Sequence, residues 1–279
     1  ELFTYIGAEG KDKSEDALND AEIFVNLLLA ARADPEARLF VVLTMRTDFL
    51  GQCTRFLDLP DAINRAQYLT PRLSREEIRQ VIEKPLEYFG GGIDPGLTVR
   101  LINGLAKNPD DHLPILQHAL NRMWTLAIER ERSETPHIGV EDYKGAGEMK
   151  LALNSHADAV LRELGDGNDP DLGLNPKQEI VKRLFVALTE QRRADEGGQT
   201  VRRPQSLACI AKWAECEVAD LVPAIKAYSA PQVSFLKIDY ALNYAHLDEN
   251  AIVDISHEAL IRQWSRLSGW VAEEAERAE

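Results

Sequence analysis

The sequence has 279 residues, enough for two or three domains of ordinary size, with 44% hydrophobic and 28% charged residues. Its net charge of −14 comes from 46 acidic and 32 basic side chains, which disfavours general binding to nucleic acid or anionic membranes. The sparse set Cys53, Cys209 and Cys216 argues against a disulfide framework, and no apolar run approaches the roughly 18 residues of a membrane span. We therefore expect a cytoplasmic protein, and the start at Glu1 leads us to expect a piece of a longer chain.

Residues 1–72 carry the pattern of one edge of an α/β sheet. Apolar positions at helical spacing predict a helix over Asp16–Arg32. The β-branched run Leu39–Thr44 is typical of a buried strand in a parallel sheet, and Gln67–Leu69 is a weaker strand candidate. The region is too short for a whole α/β domain, so we interpret it as part of one.

Residues 73–165 form an all-helical stretch with short connections, which predicts a small bundle. Ser74 followed by Glu77 is a capping-box sequence, and the helix that it begins should end near Tyr88, before three glycines. The other helices predicted here are Pro95–Lys107, Pro114–Arg132, Val140–Tyr143 and Met149–Leu164.

Residues 166–279 have the element order of a winged-helix domain that follows a loop. The composition of Gly165–Gly173 indicates this loop or linker. The predicted elements are helices at Pro176–Gln191, Pro204–Ala214 and Val218–Ser229, strands at Val233–Ile238 and Ala251–Ile255, and a last helix from about His257. The chain as a whole is therefore predicted to be mainly α, with a small α/β remnant.

A phosphate-binding loop of the Walker A type is excluded near the N-terminus, although Gly7, Gly10 and Lys11 resemble one. The pattern requires Gly, four residues and Gly-Lys-Ser/Thr. Tyr5 occupies the first glycine position and Asp12 the hydroxyl position, so this segment is interpreted as a surface turn.

An EF-hand is excluded in the acidic run that begins at Asp166. Asp171 and Lys177 stand where that loop needs a glycine and a glutamate. We interpret the run as a solvated linker. Neither a nucleophile elbow nor a metalloprotease motif occurs, so the sequence predicts no catalytic residue and no metal ligand.

The winged-helix order raises DNA binding as a hypothesis, but the charges disfavour it. A helix that reads DNA needs exposed Lys or Arg side chains. The candidate helix Val218–Ser229 carries Asp220 and one base, Lys226, and residues 200–279 contain 8 bases against 12 acids, a balance of −4. A contact with protein, or with another part of the same chain, fits these charges better.

Three separated parts of the chain resemble one protein family. They are Glu1–Thr4 (ELFT) with Phe40–Phe49 (FVVLTMRTDF), then Leu113–Leu120 (LPILQHAL), then Ile255–Leu267 (ISHEALIRQWSRL). Together they resemble the bacterial STAND NTPases, in particular the novel STAND group that is often joined to WD repeats. The resemblance covers essentially the whole chain, and its most specific part is the His-Glu-Ala-Leu-Ile-Arg-x-Trp run.

The resemblance implies three modules and three residues that contact nucleotide. The modules are the C-terminal part of an AAA-like core at 1–72, a helical lid at 73–165, and a linker with a winged helix at 166–279. It implies that Arg46 is a sensor of the γ-phosphate, that Pro114 packs near the base, and that His257 contacts the β-phosphate of ADP. The alternatives are an Arg46–Asp48 ion pair, a proline at the first position (N1) of a helix, and a capping or core histidine. Asp111 and His112 depart from the glycine that usually precedes the lid proline.

The resemblance also implies a function, an ADP/ATP switch for oligomerisation and effector activation, with magnesium nucleotide as cofactor. The Walker A loop and the Walker B aspartate would lie upstream, so we expect this chain alone to be inactive. The implied partners are the upstream P-loop segment, an effector domain, a downstream sensor domain such as WD repeats, and further copies of the protein. A non-enzymatic interaction scaffold is the alternative, and a winged-helix DNA-binding regulator the third.

Overall fold

The computed structural model describes residues 14–34, 36–45, 47–105, 112–191, 200–238 and 248–278. Helices predominate, as predicted. The chain divides into two compact units, 1–72 and 73–279. None of the described helices is both long and apolar enough to cross a bilayer.

The described part of the first unit consists of one helix of 20 residues and two shorter helices around a small apolar cluster. Its elements are α1 (Ser14–Ala33), a 3-10 helix (Thr47–Arg55) and α2 (Leu59–Ala66). The cluster that joins them contains Ala21, Val25, Cys53, Phe56 and Leu59. The prediction of a helix over Asp16–Arg32 is thus confirmed.

The strands predicted in the first unit are wrong. Residues 39–45 form no strand, and Phe40 is 94% exposed and Val42 87% exposed. The candidate Gln67–Leu69 is also irregular. A strand satisfies its backbone hydrogen bonds only beside another strand, and the described part of this unit contains none. Apolar, β-branched composition alone therefore does not produce a strand here.

The second unit contains ten further helices and seven short strands among its described residues. The helices are α3 (Arg75–Tyr88), α4 (Pro95–Leu105), α5 (His112–Glu131), α6 (Val140–Gly145), α7 (Glu148–Leu164), α8 (Pro176–Ala187), α9 (Leu207–Ala214), α10 (Val218–Ser229), α11 (Ala259–Gln263) and α12 (Ser265–Ala278). The strands are β1 (Gly92–Ile93), β2 (His137–Ile138), β3 (Thr189–Gln191), β4 (Thr200–Arg202), β5 (Gln205–Ser206), β6 (Leu236–Ile238) and β7 (Ile252–Ile255).

The strands form three small sheets. β1 and β2 are parallel, and β3 and β4 form an antiparallel pair. The third sheet is antiparallel in the order β5-β7-β6, with Gln205 opposite Val253 and Leu236 opposite Ile255. The loop predicted at Gly165–Gly173 is confirmed, apart from one 3-10 turn at Pro170–Leu172.

Local signals placed several boundaries correctly. The Ser74 hydroxyl accepts from the Glu77 amide at 3.2 Å, and the Glu77 carboxylate accepts from the Ser74 amide at 2.7 Å. This is the predicted capping box, and it begins α3. The predicted helix Val218–Ser229 has the same bounds as α10.

Other boundaries differ from the prediction. The helix from Pro176 ends at Ala187, because the following residues pair as β3 with β4. Gln205–Ser206 pairs with β7, so α9 begins only at Leu207. The last helix is broken at Trp264, whose extended backbone separates α11 from α12.

Two hydrophobic clusters stabilise the second unit. The first cluster lies among α3 to α7, and its fully buried members include Ile82, Leu101 and Met123. The second cluster lies among α7 to α12 and the β5-β7-β6 sheet, around Phe185 and Trp264. Helix α7 supplies residues to both clusters.

We predict that Gly91→Ala destabilises the first cluster. A Cβ at Gly91 would lie 2.6 Å from the Pro136 carbonyl oxygen and 2.6 Å from the Trp124 ring, closer than real Cβ contacts. Overpacking of this kind costs about 1–3 kcal/mol of unfolding free energy, which urea denaturation measures. The matched control is Gly96→Ala within α4, where nothing lies within 4 Å of the new Cβ. Because alanine favours helix over glycine, the control should gain up to about 1 kcal/mol, and equal losses in both variants would contradict the steric explanation.

Candidate functional site

A cleft of about 730 Å³ opens within the second unit and is the candidate site. One wall comes from α3 and α5, with Leu86, Phe89 and Trp124 among its apolar side chains. The opposite wall comes from the segment around β6 and from the turn between β7 and α11. The cleft thus has an apolar, aromatic side, and Lys237, Ser256 and His257 bring polar groups to the other side.

Pro114 and His257 line this same cleft, although they lie far apart in the sequence. Pro114 is in the first turn of α5, where a proline costs no helical hydrogen bond. The helix begins at His112, so Pro114 is its third residue and not the N1 proline that was the alternative, and the same residue lies on the cleft wall. The same cleft contains two of the three residues that the family resemblance implies as nucleotide contacts.

The His257 ring is held by the backbone two residues further along the chain. Its Nδ1 accepts a hydrogen bond from the amide of Ala259 at 3.0 Å. In the neutral ring the proton is therefore on Nε2, which makes that nitrogen a donor. Because the His257 ring takes the Ala259 amide and α11 has only five residues, the start of this helix is not by itself an anion site.

His118 forms part of the cleft floor and His156 lies behind it, and the sequence pattern predicted neither position. The Nδ1 of His156 in α7 lies 3.1 Å from the Nε2 of His118 in α5. Phe235 stacks on His118 with ring centroids 4.8 Å apart and contacts the edge of His156 at 5.6 Å. His118 and Phe235 both line the cleft, while His156 is only 7% exposed behind them.

Burial keeps both of these histidines neutral. Burial, followed by the charges of His156 and Arg122, lowers the pKa of His118 to about 3, and a hydrogen bond to Ala152 opposes this change. Burial and the charge of Arg122 lower the pKa of His156 to about 4. The available sequence signal was a histidine within the otherwise apolar face of each helix, which does not reveal that the two rings meet.

Helix α7 also fixes the segment that carries His257. The Asp158 carboxylate accepts from the Trp264 indole N–H at 2.7 Å and from Arg266 Nε at 3.1 Å. The Asn154 side-chain oxygen accepts from the Ser265 amide at 2.9 Å and from its hydroxyl at 2.8 Å. Trp264 is fully buried and lies at the break between two helices. The conspicuous run around His257 thus has a structural role in docking onto α7.

Arg46 lies outside the described residues, as do Gly7, Gly10 and Lys11. The acidic run 166–171 is satisfied by protein partners, since Asp166 pairs with Lys177 and Asp171 with Arg266. Across the described ranges, no group of three or more His, Cys, Asp or Glu side chains is placed to hold a metal ion.

Comparison with known proteins gives one match. The sequence model of the family described as Novel STAND NTPase 1 matches residues 1–279. No curated protein and no solved structure matches the chain.

Proposed function

Because this chain belongs to the novel STAND NTPase 1 family, we propose that it is the regulatory part of a nucleotide-controlled signalling switch. In this proposal ADP occupies the cleft, with its base toward Pro114 and its β-phosphate toward His257. ADP then holds the two walls together, and exchange for ATP separates them. Oligomerisation and activation of an effector domain follow from the separated form. A few kcal/mol of difference in nucleotide contacts is enough to shift such an equilibrium.

The observation that carries the proposal is the presence of Pro114 and His257 in one cleft of about 730 Å³. A volume in this range suits a ligand of nucleotide size. The apolar wall suits a planar base, and the Nε2 donor of His257 suits a phosphate oxygen. Arg46 would be the γ-phosphate sensor, with magnesium accompanying the nucleotide. The phosphate loop, effector and sensor domains would lie in other parts of the protein.

The topology of residues 176–271 supports the proposed winged helix. α8, α9 and α10 pack in the second cluster, and the antiparallel sheet in the order β5-β7-β6 completes it. β6 and β7 would form the wing, and His257 lies two residues after the end of β7. Helices α3 to α7 would correspondingly be the lid.

We predict that His257→Asn in the full-length protein accelerates release of a fluorescent ADP analogue by about 10- to 100-fold, as loss of one hydrogen bond to a charged group implies. Asparagine still caps the Ala259 amide but does not reach as far as the imidazole Nε2. His257→Gln is the matched variant, because its amide nitrogen can occupy the position of Nε2, and it should retain most of the ADP affinity. Stopped-flow release rates and urea denaturation together separate a lost contact from a lost fold.

The alternative functions give different results in the same experiment. Unchanged ADP release in both variants, with the fold intact, would favour a non-enzymatic interaction scaffold. Faster release only in His257→Gln would assign the role of His257 to capping. Salt-sensitive binding to random duplex DNA would favour a DNA-binding regulator.

A further inference from the structure

The histidine pair, His118 and His156, connects the floor of the cleft to His257 through a short chain of contacts. Phe235 stacks on His118, and its carbonyl oxygen accepts a hydrogen bond from the Ser256 amide at 2.9 Å. Ser256 directly precedes His257. Phe235 is 2% exposed, and its ring centroid lies 4.8 Å from that of His118 and 5.6 Å from that of His156.

We propose that the histidine pair makes closure of the cleft sensitive to protons. While both rings are neutral they hold Phe235 against α5 and α7. Uptake of protons releases Phe235 and breaks the hydrogen bond between its carbonyl oxygen and the Ser256 amide, which frees the Ser256–His257 segment. The closure of the cleft would thus depend on pH, and the consequence of this dependence for ADP binding rests on the proposed function.

One hydrogen bond joins the two rings. His156 Nδ1 lies 3.1 Å from His118 Nε2, so in the neutral pair one of these two nitrogens carries the proton and the other accepts it. A first extra proton can enter only as a buried charge, and a second would place two N–H groups 3.1 Å apart and facing each other. The closed packing therefore resists both steps.

The thermodynamic linkage has a definite sign. Both pKa values are lowered in the closed packing, to about 3 and about 4, and exposure of the rings to water returns them toward the ordinary 6.5. The open form therefore takes up protons below pH 6.5, and the closed form loses stability as the pH falls from there toward the lowered values. When the pH falls from about 7.5 to about 5.5, proton uptake by one histidine raises the equilibrium constant for opening about tenfold. Uptake by both raises it about a hundredfold.

The charged surroundings of the pair do not reverse this sign. Among the described residues, the side chain whose charge acts on both rings is Arg122, one turn along α5, and a cation disfavours a proton in the closed form. The titratable side chains on the other elements packed around the pair are Asp158 on α7, Tyr228 on α10, Lys237 on β6, and His257 and Glu258 before α11. None of these contributes to the lowered pKa of either histidine.

The test is amide hydrogen exchange at Ser256, whose N–H reports on the contact with Phe235. In the nucleotide-free full-length protein, we expect its protection factor, taken relative to the unstructured rate at each pH, to fall about a hundredfold between about pH 7.5 and about pH 5.5. The Gly91 amide, which donates to Leu86 within the first cluster, should keep its protection. Equal falls at both amides would indicate general acid unfolding and overturn the proposal.

A matched variant removes the titration and keeps the hydrogen bond. In the double variant His118→Gln with His156→Asn, the glutamine oxygen stands near Nε2 as acceptor and the asparagine NH₂ near Nδ1 as donor. Its Ser256 protection should be independent of pH over this range. His137→Gln, at an exposed histidine outside the cleft, should behave as the wild type does. A pH-dependent loss in the double variant equal to that of the wild type would overturn the proposal.

Titration of the wild-type protein by NMR keeps the proposal testable if the double variant does not fold. Ring resonances of His118 and His156 that titrate below pH 5 are expected, and ordinary values near 6.5 would overturn the proposal. ADP affinity is measured separately. If Ser256 exchange responds to pH and ADP does not bind, the proposed function fails while the proton-sensitive closure stands.

Discussion

Trp264→Ala is expected to lower the free energy of unfolding by about 3–5 kcal/mol, the usual cost of truncating a buried tryptophan. Trp264 is fully buried, and its ring packs edge-to-face against Phe185 at 5.1 Å and Trp270 at 5.2 Å. The truncation leaves a cavity in the second cluster. It also leaves Asp158 without the indole donor, and the break between α11 and α12 loses its anchor on α7.

Trp264→Phe is the matched control for this prediction. It keeps most of the apolar volume but removes the indole N–H that donates to Asp158, so it should cost less than the alanine variant, about 1–3 kcal/mol. Urea denaturation followed by circular dichroism measures both values. If Trp264→Ala were as stable as the wild type, the packing described for the second cluster would be wrong.

Asp142→Ala should lower the free energy of unfolding by about 2–4 kcal/mol. We expect this to be the largest loss from changing a single polar side chain beside the first cluster. Asp142 is 3% exposed and accepts two hydrogen bonds from Arg130, at 2.8 and 3.1 Å, and one from the Gly139 amide at 2.8 Å. The same carboxylate thus pairs with α5 and caps α6. Arg130 is partly exposed and can be rehydrated, which keeps the loss below the upper limit for buried ion pairs.

The pH dependence of this effect provides a second check. Burial raises the pKa of Asp142, but the hydrogen bonds from Arg130 and Gly139 outweigh it and leave the pKa below its ordinary value. The carboxylate therefore stabilises the fold above the ordinary pKa, and this stabilisation is lost as the pH falls through the lowered value. The difference in the free energy of unfolding between the wild type and Asp142→Asn should therefore become smaller below about pH 4. Lys177→Ala, which breaks an exposed ion pair with Asp166, should cost less than about 1 kcal/mol at any pH.

Features set by neighbouring residues were predictable from the sequence, and features set by distant residues were not. The capping box at Ser74 and both ends of α10 depend on side chains within one or two turns. The break at Trp264 depends on Asn154 and Asp158, more than a hundred residues earlier in the chain. The failed strand at Leu39–Thr44 has the same cause, because hydropathy describes one strand and says nothing about its neighbour.

The features of the candidate site also differ in whether neighbouring or distant residues determine them. Pro114 and His257 became candidates through the family resemblance, since no periodicity connects them. The hydrogen bond from the Ala259 amide to the His257 ring follows from adjacent residues and was among the alternatives considered. The contact between His118 and His156 depends on the crossing of α5 and α7, which the amphipathic pattern of either helix does not specify.

Helix α7 has a consequence for how such chains can be recombined. Ala152 belongs to the first cluster and the adjacent Leu153 to the second, while Met149 packs against both. A recombination junction within α7 would join parts of two different proteins. Each part of the helix would then pack against a hydrophobic cluster that evolved around other side chains. We therefore expect α3 to α12 to be inherited as one block, and a chimaera that takes α3 to α6 from a relative must take both faces of α7 with them.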